Sequence, residues 1–446
     1  MDGAMEEARA RPSSTFPDWS GLPNDLLRSI GELLDVPCCI WFRGVCRSWR
    51  LALPAMQPPW LVIPDGGYPT WMDHFTFLSL PTRSCARWAH RDSRCVGSSA
   101  GWLALLDPNL SVTLLNPLTR AQVRIPPLRR DELLYPSPFG MNSDGSAGYF
   151  YAGTPSETHN SSLQHSLIQK VAFYANPTVQ DYAVAVLCRN GLGLAFTKAG
   201  LNDWQWLHWP DAAGRDVPFG GELYGASNTD LDIVYHDGKF YYMTLCGQIW
   251  TLDAAAPSPV TPMPFVKCRP QLGPDHRRYG KHLVFTQDGM LHVVWSDGPG
   301  LPSLLHKEST LTPSSDTRDL PWDAGARSMR MHVQSYHPGS SRARRWRKAR
   351  HLNGRAFLIG SRSQSLAVPA SVASASSTWI RPNCVYFTCI MPGSDCINGE
   401  SVEVLPPEIW EFDVKTGVFQ ECDRRDIPDS DWLEWPKAIW FTPSLL

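Results

Sequence analysis

Three dipeptides, Asp237-Gly238, Asp288-Gly289 and Asn353-Gly354, constrain this chain more than any other feature. They sit in IVYHDGKFYYMTL, LVFTQDGMLHVVW and LNGRAFLIG, runs rich in β-branched and aromatic residues. In that setting Asp-Gly and Asn-Gly supply the positive-φ backbone that a tight hairpin requires. The three glycines are 51 and then 65 residues apart, which predicts an imperfect repeat near the size of one propeller blade, with insertions. Further strand pairs are expected in GWLALLDPNLSVTLLNPLTRAQVRIP, in DYAVAVLCRNGLGLAFTKAGLNDWQWL, and in NCVYFT with IWEFDVKTGVFQ. The tryptophan count of 19 suits this reading, because large rings fill the wedge between radially packed sheets. Residues 129–165 and 364–380 are dominated by Ser, Pro and Gly and read as loops or insertions rather than blade strands.

The pattern changes near residue 58. Upstream, Leu26, Leu27, Ile30, Leu33 and Leu34 make an apolar helical stripe, Pro23 suits its first turn, and Asn24 and Asp25 complement its positive end. Pro37 is expected to end or kink that helix. In a second segment Ile40, Trp41, Val45, Cys46, Trp49 and Leu53 recur at helical spacing among Arg43, Arg47 and Arg50, until Pro54 stops it. Gly44 inside this helix costs about 1 kcal/mol relative to alanine. A helical hairpin this small has a marginal core and an apolar stripe that it cannot cover. Periodicity alone leaves two readings open: a helical cap on the following domain, or a docking surface for a partner.

Composition narrows the function classes. With 446 residues, two or more domains or one large closed repeat are expected, and 43% hydrophobic with 19% charged residues is a globular mixture. A formal charge of -2 gives no global field for a polyanion. The N-terminal MDGAMEEARARPSS has acidic residues and no apolar core, and no apolar run reaches membrane-spanning length, so a cytoplasmic or nuclear protein is expected. In such a compartment the sequons at Asn109 and Asn160 stay unmodified and the 12 scattered cysteines stay reduced. Cys384, Cys389 and Cys396 form the closest grouping after Cys38 and Cys39, but no C-x-x-C and no finger-spaced histidine pair accompanies them, so no metal is expected. No nucleotide or zinc-hydrolase fingerprint occurs, His236 and His292 stand beside strand turns as ordinary residues, and no cofactor is expected.

Two motifs imitate other functions. Gly97-Ser98-Ser99-Ala100-Gly101 satisfies G-x-S-x-G, which would make Ser99 a hydrolase nucleophile if a helix followed. The following WLALLDPNLSVTLLNP has breakers every few residues, and a turn between blade strands is the preferred reading. Arg342, Arg344, Arg345, Arg347, Lys348 and Arg350 surround Trp346. They read first as a solvated strand face, second as a nuclear import signal and third as a nucleic-acid contact.

The run LPNDLLRSIGELLDVPCCIWFRGVCRSWRLAL resembles an F-box in its Leu-Pro start, its Asp-Leu-Leu-x-x-Ile helix and its closing Val-Cys-Arg-Ser-Trp-Arg. The resemblance implies docking on a Skp-type adaptor, which bridges to a cullin and a ubiquitin-loaded enzyme. Leu22, Pro23, Leu26, Ile30, Val45, Cys46 and Trp49 match positions that touch the adaptor or hold the touching helices together. The departure is Asp35 to Ile40, DVPCCI, where relatives more often carry an acidic residue and leucines. Over residues 75–442 the chain is similar to the KIB-type β-propeller of plant F-box proteins. The matching stretches are GSSAGWLALLD, LLNPLTRAQVRIPPL, DIVYHDGKFYYM, WTLD, RPNCVYFT, IWEFDVKTG and AIWFTPS, in that order. The implied architecture is multidomain: a disordered N-terminus at 1–17, a small all-α F-box at 18–58, and a mainly-β propeller of six or seven blades at 59–446. The implied function is the non-catalytic substrate receptor of a Skp-cullin-F-box ubiquitin ligase, with an unidentified target protein. The alternatives are an F-box protein that binds the adaptor without ubiquitin transfer, and a serine hydrolase using Ser99.

Overall fold

The computed structural model describes residues 19–34, 36–53, 59–65, 72–79, 85–128, 168–174, 176–188, 194–207, 209–210, 216–217, 232–243, 247–256, 263–267, 281–297, 330–339, 345–360, 363–369, 380–389, 408–421 and 439–443. The expected N-terminal tail at 1–17 lies outside them. Two compact units divide the chain, Met1–Ala55 and Met56–Leu446.

Among its described residues the first unit holds three α-helices where periodicity predicts two. A 3-10 turn, Trp19–Gly21, leads into α1 (Asn24–Glu32), α2 (Val36–Val45) and α3 (Arg47–Ala52). The second periodic segment breaks at Cys46, whose backbone is extended at φ -160 and ψ 177 and whose carbonyl accepts the Arg50 N–H at 3.0 Å. Pro37 falls in the first turn of α2 rather than terminating α1, a place where its missing N–H leaves no helical bond unmade. Pro23 is the residue before α1, and its carbonyl takes the Leu27 N–H at 3.0 Å.

The second unit is a six-bladed β-propeller. Blade 1 runs outward from Ile439–Phe441 through Trp60–Asp65 and Met72–Ser79 to the first part of Cys85–Ser99. That long strand crosses into blade 2 at Arg94, where its end pairs with Trp102–Leu106, followed by Val112–Leu115 and Gln122–Arg124. Blade 3 is Ile168–Phe173, Ala183–Cys188, Leu194–Lys198 and Gln205–Leu207. Blade 4 is Asp232–His236, Lys239–Met243, Gln248–Asp253 and Met263–Lys267. Blade 5 is Lys281–Phe285, Leu291–Asp297, Arg330–Tyr336 and Trp346–Lys348. A short hairpin, Trp209–Pro210 with Asp216–Val217, stands apart from the blades.

Blade 6 departs from the simple meander. Its order is Leu366–Pro369, Arg355–Ile359, Cys384–Cys389, Glu408–Asp413 and Phe419–Glu421, and Arg355–Ile359 pairs in parallel with Cys384–Cys389. Leu366–Pro369 lies in the stretch read as loop or insertion, so that expectation is corrected. Its main chain has a ladder partner in Arg355–Ile359, and Val368 is buried between blades, which low local propensity does not prevent. Residues 129–165 lie outside the described set.

Apolar clusters between adjacent sheets hold the ring. Val96, Trp102, Leu114, Phe173, Val184 and Trp204 join blades 2 and 3. Phe196, Ile233, Phe240 and Tyr242 join blades 3 and 4, and Val234, Ile249, Leu283 and Trp295 join blades 4 and 5. Val294, Val333, Phe357 and Val385 join blades 5 and 6, and Leu61, Leu358, Tyr386 and Trp440 join blades 6 and 1. Near the centre a polar chain adds direction: buried Lys170 of blade 3 pairs with buried Asp232 of blade 4, whose other oxygen accepts the Leu283 N–H of blade 5 at 2.7 Å.

The turn dipeptides divide into two kinds. Asp237 and Gly238 take φ 45 and 77 in the tip between the first two strands of blade 4, and Gly289 takes φ 77 in the equivalent tip of blade 5. Asn353 and Gly354 also have positive φ, but their turn links the last strand of blade 5 to the first of blade 6. Asn383 stabilises it, accepting the Leu352 N–H on its side chain at 2.7 Å and donating its own N–H to Arg355 at 2.7 Å. The 51-residue spacing is therefore a blade spacing, and the 65-residue spacing compares turns that are not equivalent. The tip equivalent to Asp237-Gly238 in blade 2 is Ala100-Gly101, at φ 44 and 86.

Trp440 is fully buried at the closure, where it donates from Nε1 to the Ile359 carbonyl at 3.0 Å and accepts the Ser98 hydroxyl on its carbonyl at 2.6 Å. Trp440→Ala is expected to cost about 4 kcal/mol in urea unfolding of the propeller; an unchanged midpoint would show that the seam carries no such weight. His292 is buried against Phe357, at 5.0 Å between rings, and burial lowers its pKa from 6.5 to about 4. The unfolded chain thus binds a proton that the folded chain refuses, so this contribution is complete above pH 6.5 and is lost as pH falls toward 4. His292→Gln should flatten the stability–pH curve in that window by about 2 kcal/mol, as read by urea titrations at pH 7 and 4.5.

Candidate functional site

The helical unit shows an apolar face that its own core does not use. Leu27, Phe42, Ala52 and Leu53 are buried, with Leu22, Leu34 and Trp49 packed partly against them. Phe42 and Trp49 meet at 4.5 Å between ring centroids. Around the α1 axis, Leu27, Gly31 and Leu34 fall on the inward side, while Leu26, Ile30 and Leu33 fall about 100° away. Leu26 is 50% exposed, Ile30 39% and Leu33 86%. On α2 the pattern repeats, with Phe42 buried beside Trp41 at 73% and Val45 at 58% exposure, and on α3 Leu51 stands 72% exposed.

The predicted residues therefore separate. Leu26, Ile30 and Val45 present apolar surface to solvent, and Pro23 is an exposed residue at the start of α1. Leu22 and Trp49 pack inward, and Cys46 supplies the extended link between α2 and α3, its sulfur 3.0 Å from the Ser48 hydroxyl. Leu33, Trp41 and Leu51 also belong to the exposed set, and Leu33, just past α1, and Trp41 on α2 are visible in the sequence as stripe residues. Polar bonds fix the frame. The Trp49 Nε1–H donates to the Trp19 carbonyl at 2.8 Å, Ser48 donates to the Ser20 carbonyl at 2.9 Å, and Arg43 donates to the Leu53 carbonyl at 2.8 Å.

The imitating motifs resolve as parts of the propeller. Ser99 is a buried strand residue paired with Trp102 across the Ala100-Gly101 turn, and the chain continues as a strand rather than as the helix a nucleophile elbow needs. Gly97 is required because a Cβ there would lie 2.2 Å from the Val171 carbonyl oxygen of blade 3. In the arginine cluster, Trp346–Lys348 is the outer strand of blade 5, with Arg347, Lys348 and Arg350 exposed and Arg345 half-buried. Arg342 and Arg344 lie outside the described residues. His236 stacks on Phe285 at 4.1 Å, and burial lowers its pKa. Among the described residues no three His, Cys, Asp or Glu side chains gather as a metal site, and no helix is long and apolar enough to cross a membrane. Cys396 is outside that set.

A family model described as the KIB1-4 beta-propeller matches residues 72–420. F-box protein SKIP23 of Arabidopsis thaliana is 35% identical over 24% of this chain and 29% of its own length. Putative F-box protein At2g33190 of the same plant is 26% identical over 55% of this chain and 61% of its own. F-box protein At1g10110, also from Arabidopsis thaliana, is 23% identical over 53% and 56% respectively. The chain thus spans about half the length of these two longer-matching relatives.

Two glycines test the helical packing in opposite directions. A Cβ on Gly31 would sit 2.0 Å from Leu53 Cδ2, whereas one on Gly44 meets nothing within 4 Å. Gly31→Ala is expected to destabilise the unit by about 1–3 kcal/mol despite alanine's higher helix propensity, and Gly44→Ala to stabilise it by up to about 1 kcal/mol. Hydrogen exchange of the α1 to α3 amides reads both; equal protection in the two variants would contradict the packing.

Proposed function

The chain belongs to the KIB1-4 β-propeller family, and from that membership we propose that it is the substrate-recognition subunit of a Skp-cullin-F-box ubiquitin ligase. The helical unit acts as the F-box and binds a Skp-type adaptor, and through it a cullin. The propeller holds the target protein. The observation that carries this reading is the second apolar face of α1, Leu26 and Ile30 continued by Leu33 just past its end, exposed beside the buried Leu27, Phe42, Ala52 and Leu53. Exposed apolar surface of this kind on a small unit marks a place that a partner covers. The F-box names of the relatives from Arabidopsis thaliana support the same assignment.

In this reading Leu26, Ile30 and Val45 contact the adaptor, Pro23 sets the start of the contacting helix, and Leu22, Cys46 and Trp49 hold the helices in place. No bond is made or broken by the chain itself. A receptor raises the concentration of a bound target near the ubiquitin donor, so a binding ring and a docking unit in one chain supply proximity in place of a catalytic group. Such a complex works in the cytoplasm or nucleus, where the adaptor and cullin reside.

The test separates contact from folding. Leu26→Ser with Ile30→Ser should weaken adaptor capture by about a hundredfold, since two apolar anchors at an interface contribute about 3 kcal/mol together, while hydrogen exchange of the three helices stays unchanged. Leu22→Ala should weaken capture and helix protection together. Full adaptor binding by the Leu26/Ile30 double variant would remove the F-box assignment.

A further inference from the structure

Blade 6 sends a segment to the axis of the ring. Its parallel strands, Arg355–Ile359 and Cys384–Cys389, cannot be joined by a hairpin and need a crossover. That crossover, residues 360–383, contains Leu366–Pro369, which pairs with Arg355–Ile359 and forms the inner end of the sheet. Ser363, Gln364 and Ser365 come just before this strand, and both serines are buried. The Gln364 main-chain N–H donates to the Ser98 carbonyl of blade 2 at 3.2 Å, and its side-chain Nε2 donates to the Tyr235 carbonyl of blade 4 at 3.0 Å. Ser98 and Tyr235 stand on the innermost strands of their blades. Blades 2, 4 and 6 alternate around a six-bladed ring, so a blade 6 residue that bonds the inner strands of the other two lies at the axis.

The hydrogen bonds continue beyond Gln364. Ser98 passes from its hydroxyl to the Trp440 carbonyl of blade 1, and the Trp440 indole returns to the Ile359 carbonyl of blade 6. A loop of bonds thus joins blades 6, 2 and 1, and the Gln364 amide adds blade 4. The start of the crossover is built for this approach: a Cβ on Gly360 would lie 2.6 Å from Ser363 Oγ and 3.4 Å from Trp440 Cδ1. Glycine there lets the segment close against the seam tryptophan.

We propose that Ser363–Ser365 is a strap across the axial channel. It pins blades 2, 4 and 6 to one another, and it fills with the chain's own residues the place where a propeller has its central channel. While the strap is seated, the axis is not open to a ligand or a target segment. This proposal concerns the propeller alone and does not depend on the ubiquitin-ligase reading.

The test reads distant blades in the full chain, because a local role for Gln364 would disturb blade 6 alone. Gln364→Ala keeps the main-chain bond to Ser98 and removes the bond to Tyr235. Amide hydrogen exchange of peptides covering residues 94–99 and 232–236 should then quicken about tenfold, the effect of losing one buried hydrogen bond. Gln364→Met, similar in length but without a donor, should do the same and guards against a simple cavity effect. Gln420→Ala removes a bond to Glu411 within blade 6 and should leave blades 2 and 4 unchanged. As a second readout, maleimide labelling of Ser365→Cys, located by peptide mass, should become at least about tenfold faster when Gln364→Ala is added, because the strap lifts more often. Wild-type exchange in blades 2 and 4 for both Gln364 variants, or an unchanged labelling rate at position 365, would overturn the proposal and leave Gln364 as a loop residue of blade 6.

Discussion

Everything in the propeller depends on three residues near the C-terminus pairing with a strand near residue 60. A run of sheets laid side by side has two open ends, and both expose apolar faces and unpaired main chain. Pairing of Ile439–Phe441 with Trp60–Asp65 removes both ends at once, because the last strand becomes the innermost strand of the first blade. Trp440 concentrates that closure in one side chain: its ring packs among blade 6 residues, its indole bonds to blade 6, and its carbonyl accepts a hydroxyl from blade 2. The seam is short, so side-chain burial rather than the count of ladder bonds gives it strength.

The two units solve opposite problems. The ring distributes its core over the spaces between blades and links blades 3, 4 and 5 by polar contacts from Lys170 to Asp232 to Leu283. A buried pair of this kind is a weak source of stability, but leaving either charge alone in the interior is costly, which disfavours misassembled neighbours. Among its described residues the helical unit buries Leu27, Phe42, Ala52 and Leu53 and exposes Leu26, Ile30, Leu33, Trp41, Val45 and Leu51.

Legibility differed by element for physical reasons. Tips such as Asp237-Gly238 were readable because positive φ demands particular residue types, and that demand is local. The same chemistry misled at Asn353-Gly354, since the turn looks identical whether the flanking strands pair with each other or belong to adjacent blades. Leu366–Pro369 was missed because a strand with one ladder partner and a Ser-rich approach has little pattern of its own. The break at Cys46 was missed because Val45, Cys46 and Trp49 keep helical spacing across it. In the candidate site, Leu26, Ile30, Val45 and Trp49 are visible in the sequence as apolar residues at helical spacing. Their separation into outward and inward residues is not, since two apolar faces of one helix read as a single broad stripe.

By itself the sequence determined the class of the molecule: helical periodicity before residue 58, tight-turn chemistry and β-rich runs after it, and tryptophan enough to fill wedges between sheets. These follow from backbone preference and side-chain period, which act over a few residues. Tertiary structure alone decided the blade number, the strand order of blade 6, the partner of the last strand, and the side of α1 that faces inward. It also decided that Phe265, Tyr336 and Trp346 would meet although they lie far apart in the chain. Such outcomes depend on which apolar surfaces find one another across long loops, and no short-range rule encodes that choice.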